Sequence, residues 1–334
     1  MTKKQKICSR LWNGMMIRHD GHVYPCCGLG DRPQVAIGNI GTDPINNIIN
    51  GEKITAMRKA SLESTLACYD NCDQVKYFEV YVEPNPEKLV VEIENYKDLM
   101  IEYGEKCNVD CIMCWQDRDN PIHLRYEDLA KKLPVESWGK INIFGGEVFV
   151  IKDAVKHMFD LLNSGKKNLT ITTNGLALRS DRMAREIVEK GAELIISINA
   201  ATEETHNYVM QPKEPFFYIL MEILKKLQNL KKELNRLDFR VVGQFTTVPE
   251  SLWEIPMFIR NFKAMGFDIG NVTFDHRYFP HGFENFDLLP DSISWNGEKM
   301  AELKRQVTKA YTDIETPEDL NLTAQEFLLE TKSP

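Results

Sequence analysis

The sequence is organised around one short stretch, Cys107-Asn-Val-Asp-Cys111-Ile-Met-Cys114, which follows a strand-like run from Leu99 to Tyr103. Its three cysteines have the spacing C-x3-C-x2-C. Three thiolates on one loop suit an iron–sulfur cluster, because such clusters prefer soft, clustered ligands and a cluster held at three corners keeps one iron open. A structural zinc ion is the alternative, although zinc usually takes four ligands in a closed shell.

The composition is typical of a soluble globular protein with one large domain and one small one. The chain has 334 residues, of which 43% are hydrophobic and 27% are charged. No apolar run reaches the roughly 18 residues of a membrane span. The segment after Met1 lacks an apolar signal region, which favours the cytoplasm. The net charge of −8 disfavours a nucleic-acid binder, since such proteins usually show a basic footprint.

All eight cysteines lie within the first 114 residues. In a cytosolic protein this distribution indicates metal binding rather than disulfides. The cysteines that precede the central loop are Cys8, Cys26, Cys27, Cys68 and Cys72. The Asp20-Gly21 pair predicts a β-hairpin that brings Cys8 and Cys26 together, and a helical pattern follows from about Pro44 to Leu62. A zinc module with cysteine ligands remains an alternative for this group.

From about residue 98 the pattern alternates between strands and helices. Strands are predicted at roughly 98–103, 140–144, 168–173, 193–199, 238–246 and 270–275. Helices are predicted at Asp153–Ser164, Asp181–Lys190, Pro215–Leu234 and Leu252–Met265. Such alternation indicates an α/β fold with parallel strands and crossover helices. In parallel barrels the chemistry gathers at the carboxyl ends of the strands, so candidate residues are sought there.

Polar residues and glycines follow several of these strands. The second strand ends in Phe144-Gly-Gly-Glu147, where glycines allow close approach of a ligand and a carboxylate can pair with an ammonium group. The later candidates are Thr173, Asn174, Ser197, Asn199 and Gln244, whose short hydroxyl and amide groups can bind ligand hydroxyls. Turn chemistry is the alternative for Asn174, and a satisfied core amide is the alternative for Gln244.

The cysteine loop resembles the signature of the radical S-adenosylmethionine (SAM) superfamily. The resemblance implies a partial (β/α)6 barrel and a [4Fe–4S] cluster on Cys107, Cys111 and Cys114. It also implies that SAM chelates the open iron and is cleaved to methionine and a 5′-deoxyadenosyl radical, which abstracts a substrate hydrogen. The residue before the third cysteine is often aromatic in the family, whereas here it is Met113.

The same resemblance implies roles for the residues at the strand ends. Gly145, Gly146 and Glu147 match the family's GGE motif, whose members contact the methionyl amine of SAM. The polar set Thr173, Asn174, Ser197, Asn199 and Gln244 corresponds to groups that reach the ribose, carboxylate and adenine of SAM in relatives. An arginine that commonly follows the fourth strand is replaced here by Met210-Gln211.

The N-terminal cysteines resemble the opening motif of SPASM and twitch domains, with the pattern Cys8-x12-Gly21-x4-Cys26. This resemblance implies a second, auxiliary [4Fe–4S] cluster on Cys8, Cys26, Cys68 and Cys72. The closing pair is often C-x2-C, but here it is C-x3-C. Cys27 is then left over. It is either a buried small hydrophobe, an alternative ligand, or a hydrogen donor to a substrate radical.

These inferences predict a SPASM/twitch-like module at residues 1–83, a linker at 84–97, the barrel at 98–290 and a helical segment at 291–334. They predict an enzyme that oxidises or epimerises a peptide or small-molecule substrate, with a flavodoxin or ferredoxin as electron donor. The alternatives are a non-catalytic, zinc-stabilised binding protein and an RNA-modifying radical SAM enzyme.

Overall fold

The computed structural model describes residues 5–30, 33–66, 75–78, 86–133, 138–165, 168–191 and 193–274, with five helical positions between 302 and 309. The chain forms two compact units. The N-terminal unit comprises residues 1–106 and 117–170, and the C-terminal unit comprises residues 107–116 and 171–334. The predicted boundaries at 83, 97 and 290 stay predictions.

The N-terminal unit combines short strands with helices of four to twelve residues. Its strands are β1 (Gln5–Cys8), β2 (Gly14–Ile17), β3 (His22–Tyr24), β4 (Gly38–Asn39), β5 (Val75–Phe78), β6 (Asp98–Glu102) and β7 (Lys140–Phe144). Its helices are α1 (Arg10–Asn13), α2 (Ile45–Asn50), α3 (Glu52–Leu62), α4 (Pro86–Leu89), α5 (Tyr126–Ala130) and α6 (Lys152–Asn163).

The predicted hairpin is confirmed, and its first strand pairs with β6, the strand that precedes the cysteine loop. Strands β2 and β3 pair antiparallel around a turn in which Gly21 has φ +84°. Strand β2 also pairs in parallel with β6, with Ile17 opposite Ile101, and the strand order is β7-β6-β2-β3-β4. All residues of β2 are buried, and Leu99 and Ile101 of β6 are buried as well. Burial of these apolar side chains accounts for the pairing.

The predicted helical stretch from Pro44 to Leu62 is divided at Gly51. This residue has an extended conformation, with φ −65° and ψ 170°, and it separates α2 from α3. A Cβ atom at this position would lie 2.3 Å from the carbonyl oxygen of Asn47. Only glycine therefore fits this close approach, and its low helix propensity accounts for the break.

The C-terminal unit alternates strands and helices as predicted. It contains the last three residues of β8 (Leu169–Thr173), together with β9 (Glu193–Ser197), β10 (Val241–Thr247), β11 (Asp268–Phe274), α7 (Asp181–Lys190), α8 (Glu203–Met210), α9 (Phe217–Glu233) and α10 (Ile255–Ala264). The strand order is β11-β10-β9-β8, and β10 pairs in parallel with both β9 and β11. The predicted helix Leu252–Met265 begins with a 3₁₀ turn, Pro249–Glu254, before α10. The α/β fold class is thereby confirmed.

The predicted C-terminal helical segment lies outside the described residues apart from the five positions between 302 and 309. Within the described part of the chain, no helix is both long enough and apolar enough to cross a membrane.

His206 on α8 is a titratable group in the apolar core of the C-terminal unit. It is fully buried, with its ring 4.7 Å from that of Phe216 and 5.3 Å from that of Phe217. Burial lowers its pKa from 6.5 to about 4, against a smaller opposing effect of Asn207. Between these two pH values the unfolded chain binds a proton that the folded chain does not bind. Stability is therefore lost as the pH falls through this window.

We expect acidification from pH 6.5 to pH 4 to destabilise the wild type by about 3 kcal/mol more than the variant His206→Phe, because the variant has no proton to bind at this position. The measurement is the free energy of local unfolding of α8, obtained from hydrogen exchange in urea across this pH range. Parallel pH profiles for the two proteins would contradict the prediction.

Candidate functional site

Backbone hydrogen bonds connect the cysteine loop of the C-terminal unit to the carboxyl end of α8. The backbone N–H of Asp110 donates to the carbonyl of Met210 over 3.1 Å, and that of Ile112 donates to Val209 over 3.0 Å. Val109 forms an antiparallel bridge with Pro212. The intervening Gln211 has φ +43°, a left-handed conformation that ends the helix and lets the following residue pair with the loop.

The three thiols of the loop are partly buried, and each lies near another polar or sulfur atom. Cys111 Sγ is 3.5 Å from Met210 Sδ, Cys114 Sγ is 3.5 Å from Gln116 Oε1, and Cys107 Sγ is 3.9 Å from Asn108 Oδ1. Among the described residues, no three Cys, His, Asp or Glu side chains converge as ligands of one metal ion.

The chemistry of the donors bears on the kind of group that the loop can hold. Its three side chains are cysteine thiols, which are soft ligands, and an iron–sulfur cluster binds its cysteines through separate irons. The donor set of the loop therefore fits a cluster.

Asn174 reaches the cysteine loop from the end of β8. Its Nδ2 donates to Asn108 Oδ1 over 2.7 Å, while its Oδ1 accepts from the backbone of Leu176 over 3.1 Å. The hydroxyl of Thr173 accepts from the N–H of Gly175 over 3.0 Å. The expected turn chemistry is thus present, and Asn174 also contacts the residue that follows Cys107.

Asn199 connects the ends of two strands to the same loop. It is buried, with φ +61°, and its Oδ1 accepts from the backbone of Thr246 over 2.8 Å. Its Nδ2 lies 3.1 Å from Met210 Sδ, and Met210 in turn contacts Cys111. Asn199, Met210 and Cys111 therefore form a continuous line of contacts from β9 to the cysteine loop.

Ser197 and Gln244 lie opposite each other in the parallel register of β9 and β10. Gln244 and Thr246 are partly exposed and alternate with the buried Phe245. This alternation places Gln244 and Thr246 on one face of their strand. The C-terminal unit thus gathers Thr173, Asn174, Ser197 and Asn199 at the carboxyl ends of its strands.

The GGE segment, in the N-terminal unit, passes close to the residues that precede the cysteine loop. The N–H of Glu147 donates to the carbonyl of Lys106 over 2.8 Å. Gly145 and Gly146 have φ +99° and +51°, and a Cβ atom on Gly146 would lie 2.3 Å from the Lys106 oxygen. Glu147 is fully buried and accepts from the N–H of Phe149 over 3.2 Å. The Glu147 side chain is therefore shielded from solvent.

The N-terminal cysteines differ in their exposure. Cys8 is buried, and its N–H donates to Ser61 Oγ over 2.9 Å. Cys26 is partly buried against an apolar cluster that includes Met16 and Tyr24. Cys27 is exposed, so the interpretation as a buried hydrophobe is wrong.

Cys68 and Cys72 lie outside the described residues. Strand β1 pairs with β5 so that Cys8 is opposite Val75, which follows Cys72 by three positions in the sequence. This register places Val75 beside Cys8.

Sequence reasoning missed several residues that contact the loop or its flanks. These are Asn108, Met210, His19, Glu102 and Glu105. The identity of Met210 at a position where relatives carry arginine was visible in the sequence, but its contact with Cys111 spans 99 residues and follows no local pattern. Glu105 lies two positions before Cys107, and its proximity was the only available signal.

Comparison with curated proteins finds a relative in Methanothermobacter thermautotrophicus, a protein named probable GTP 3′,8-cyclase. It is 31% identical over 117 residues, which are 33% of this chain and 38% of that protein. The match thus spans well under half the length of this relative.

Among solved structures, Streptococcus suis SuiB bound to SAM covers 62% of this chain and 43% of its own, with 14% identity and a TM-score of 0.42. SuiB bound to the precursor peptide SuiA covers 80% of this chain and 62% of its own, with 15% identity and a TM-score of 0.46.

Two family models match the chain. Residues 8–73 match the SPASM iron–sulfur cluster-binding domain, and residues 101–262 match the radical SAM superfamily. The cofactors implied are a [4Fe–4S] cluster, SAM and an auxiliary iron–sulfur cluster. Together with the C-x3-C-x2-C loop, these matches show that the chain carries an N-terminal SPASM iron–sulfur cluster-binding domain followed by a radical SAM superfamily domain.

Proposed function

We propose that the chain binds a [4Fe–4S] cluster through Cys107, Cys111 and Cys114 and uses it with SAM to abstract a hydrogen atom from a peptide or small-molecule substrate. When bound, this cluster supplies the electron that cleaves SAM. The hydrogen bond between Asn174 and Asn108 supports this proposal most directly, because it places a predicted SAM-binding residue beside the cysteine loop over 2.7 Å.

The protein's own residues would bind and orient SAM. We assign the contact with the methionyl amine to Gly145, Gly146 and Glu147, and this is supported by the hydrogen bond from the Glu147 N–H to the carbonyl just before Cys107. Contacts with the ribose, the carboxylate and adenine are assigned to the set Thr173, Asn174, Ser197, Asn199 and Gln244. Such positioning, together with exclusion of water, is the protein's contribution to cofactor chemistry.

The auxiliary cluster is assigned to Cys8, Cys26, Cys68 and Cys72. The buried position of Cys8 and the partial burial of Cys26 support their role as ligands, because a shielded environment suits a cluster thiolate. Exposed Cys27 is available as a hydrogen donor in an epimerisation. In an oxidation, the auxiliary cluster would instead accept the substrate electron. A flavodoxin or ferredoxin is the proposed reductant.

The experiment that tests this function is anaerobic reconstitution of the full chain with iron and sulfide, followed by addition of dithionite and SAM. We expect a brown protein with visible thiolate-to-iron absorption, and formation of 5′-deoxyadenosine. A colourless protein that retains zinc after reconstitution and forms no 5′-deoxyadenosine would contradict the proposal and favour a zinc-stabilised binding protein. Deuterium-labelled GTP, peptides and RNA are offered in parallel. The compound that transfers deuterium into 5′-deoxyadenosine identifies the substrate class.

The variant Gly146→Ala should raise the KM for SAM at least about tenfold, which corresponds to about 1.4 kcal/mol of lost binding. The added methyl group would lie 2.3 Å from the Lys106 carbonyl, and φ of +51° already disfavours alanine. The measurement is the SAM dependence of 5′-deoxyadenosine formation. Gly28→Ala is the control, because a Cβ atom at Gly28 meets no atom within 4 Å. Equal KM values in the two variants would contradict the assignment.

A further inference from the structure

Four charged side chains form a buried network in the N-terminal unit, where β2 and β6 end. Arg18 Nε lies 2.9 Å from Glu102 Oε2, and His19 Nδ1 lies 3.0 Å from Glu102 Oε1. The other ring nitrogen of His19 lies 3.4 Å from Glu105 Oε1. The side chains of Glu102, Glu105 and His19 are at most 9% exposed. We call these four residues the hairpin–glutamate network.

The strand pairing explains why these residues meet. Ile17 of β2 is opposite Ile101 of β6 in parallel register. Arg18 and His19 continue the chain from β2 into the hairpin turn, at the level where Glu102 ends β6. Arg18 and His19, which belong to the SPASM domain, therefore lie at the carboxyl end of β6, the strand that precedes the cysteine loop.

Glu105 holds together the two ends of that loop. Its Oε1 accepts from the N–H of Asp117 over 3.1 Å, and its Oε2 accepts from the N–H of Ile122 over 3.2 Å. The N–H of Glu105 also donates to the Ile122 carbonyl over 3.0 Å. The cysteines at 107–114 lie between these anchored positions in the sequence. Glu105 therefore joins residues 117 and 122 to residue 105 by hydrogen bonds, and these bonds restrict the positions of both ends of the loop.

The Glu105 carboxylate is buried, so it needs a cation beside it. Two carboxylates and one arginine would leave one uncompensated negative charge in the network, and buried charges are stable only when they are paired. His19 faces both carboxylates, and as an imidazolium it can donate from both nitrogens. Burial lowers the pKa of His19, and Arg18 does so too. The hydrogen bond to Glu102 and the charges of Glu102 and Glu105 together raise the pKa of His19 by more than burial and Arg18 lower it. The net pKa is therefore above its ordinary value.

We propose that His19, supported by Arg18, is a positioning residue by which the SPASM hairpin fixes Glu105 and, through it, the cysteine loop of the radical SAM domain. The inference rests on the proposed function in assigning the SAM-binding cluster to that loop. It gives the N-terminal placement of the SPASM domain a role besides binding the auxiliary cluster: its hairpin turn supports the loop that holds SAM.

The test uses the full reconstituted chain and the variant His19→Gln, which keeps one donor but removes the charge. We expect amide hydrogen exchange of the segment 117–122 to become at least about tenfold faster, because its donors to Glu105 are released. The KM for SAM should rise while kcat changes less. His22→Gln is the matched control in the same turn, because His22 pairs with Asp20 in an exposed position and should leave both quantities unchanged.

His19→Lys separates charge from packing, since it restores a cation between the carboxylates and should recover part of the protection of 117–122. If His19→Gln does not fold, Glu105→Gln serves instead. This variant removes one of the two Glu105 oxygens that accept from the N–H groups of Asp117 and Ile122, so the amide exchange of 117–122 should again become faster. Unchanged exchange at 117–122 in either folded variant would overturn the inference. This readout does not require SAM cleavage, so failure of the wild type to form 5′-deoxyadenosine would refute the proposed function separately.

Discussion

Replacing Cys111 by alanine is expected to abolish formation of 5′-deoxyadenosine while leaving the protein folded. In the proposed function Cys111 would hold the cluster that supplies the electron for SAM cleavage, so its loss would remove the chemistry rather than weaken it. Cys111 is also the cysteine in contact with Met210, and Met210 is packed against Asn199. Its side chain is small and partly buried, so alanine leaves little cavity, and we expect a loss of activity much larger than the loss of stability.

The matched control is Asp110→Asn in the same loop. Asp110 is exposed, and asparagine has nearly the same shape and keeps the backbone N–H that donates to the carbonyls of Met210 and Gln211. This variant should form 5′-deoxyadenosine at a rate close to that of the wild type. Iron analysis completes the test, because Cys111→Ala should keep the iron of the auxiliary cluster and lose that of the other. Retention of SAM cleavage by Cys111→Ala would refute the ligand assignment.

Local patterns predicted the elements whose signals lie close together in the chain. The helix α7 was predicted with the bounds found in the structure, Asp181–Lys190. Its first turn is capped by the side chain of Ser180, which accepts from the N–H of Met183, and its end is set by Gly191 with φ +80°. Both signals are adjacent to the helix. The cysteine loop was equally accessible, because its spacing is a property of eight consecutive residues.

Long-range pairing could not be predicted in this way. Strand β2 pairs with β6 across 84 residues, and parallel strands show no turn that announces their register. The hairpin was predicted from Asp20-Gly21, but its position beside β6, and hence the contact of His19 with Glu102 and Glu105, depends on tertiary packing. The break at Gly51 was missed for a related reason, because an isolated glycine in a helical pattern is often tolerated.

The variant Arg58→Met should destabilise the N-terminal unit by about 4 kcal/mol, since each buried acceptor left without a donor costs about 1–3 kcal/mol. Arg58 on α3 is fully buried and connects separate segments of this unit. Its Nε donates to the Leu11 carbonyl over 2.8 Å, and Nη1 donates to the Leu89 carbonyl over 2.7 Å. Its Nη2 donates to Tyr96 Oη over 2.9 Å. Methionine fills similar space but donates to none of them.

The measurement is the free energy of local unfolding of α3, from the urea dependence of hydrogen exchange in peptides covering Glu52–Leu62. Lys59→Met is the control on the adjacent residue, because the Lys59 side chain is 61% exposed and lies 4.0 Å from Glu63, a surface pair worth at most about 1 kcal/mol. Arg58→Lys should remain destabilised, because an ammonium group cannot reproduce the planar fork that serves these acceptors. A loss below about 1 kcal/mol in Arg58→Met would show that water replaces the guanidinium, since hydrated acceptors avoid most of the penalty.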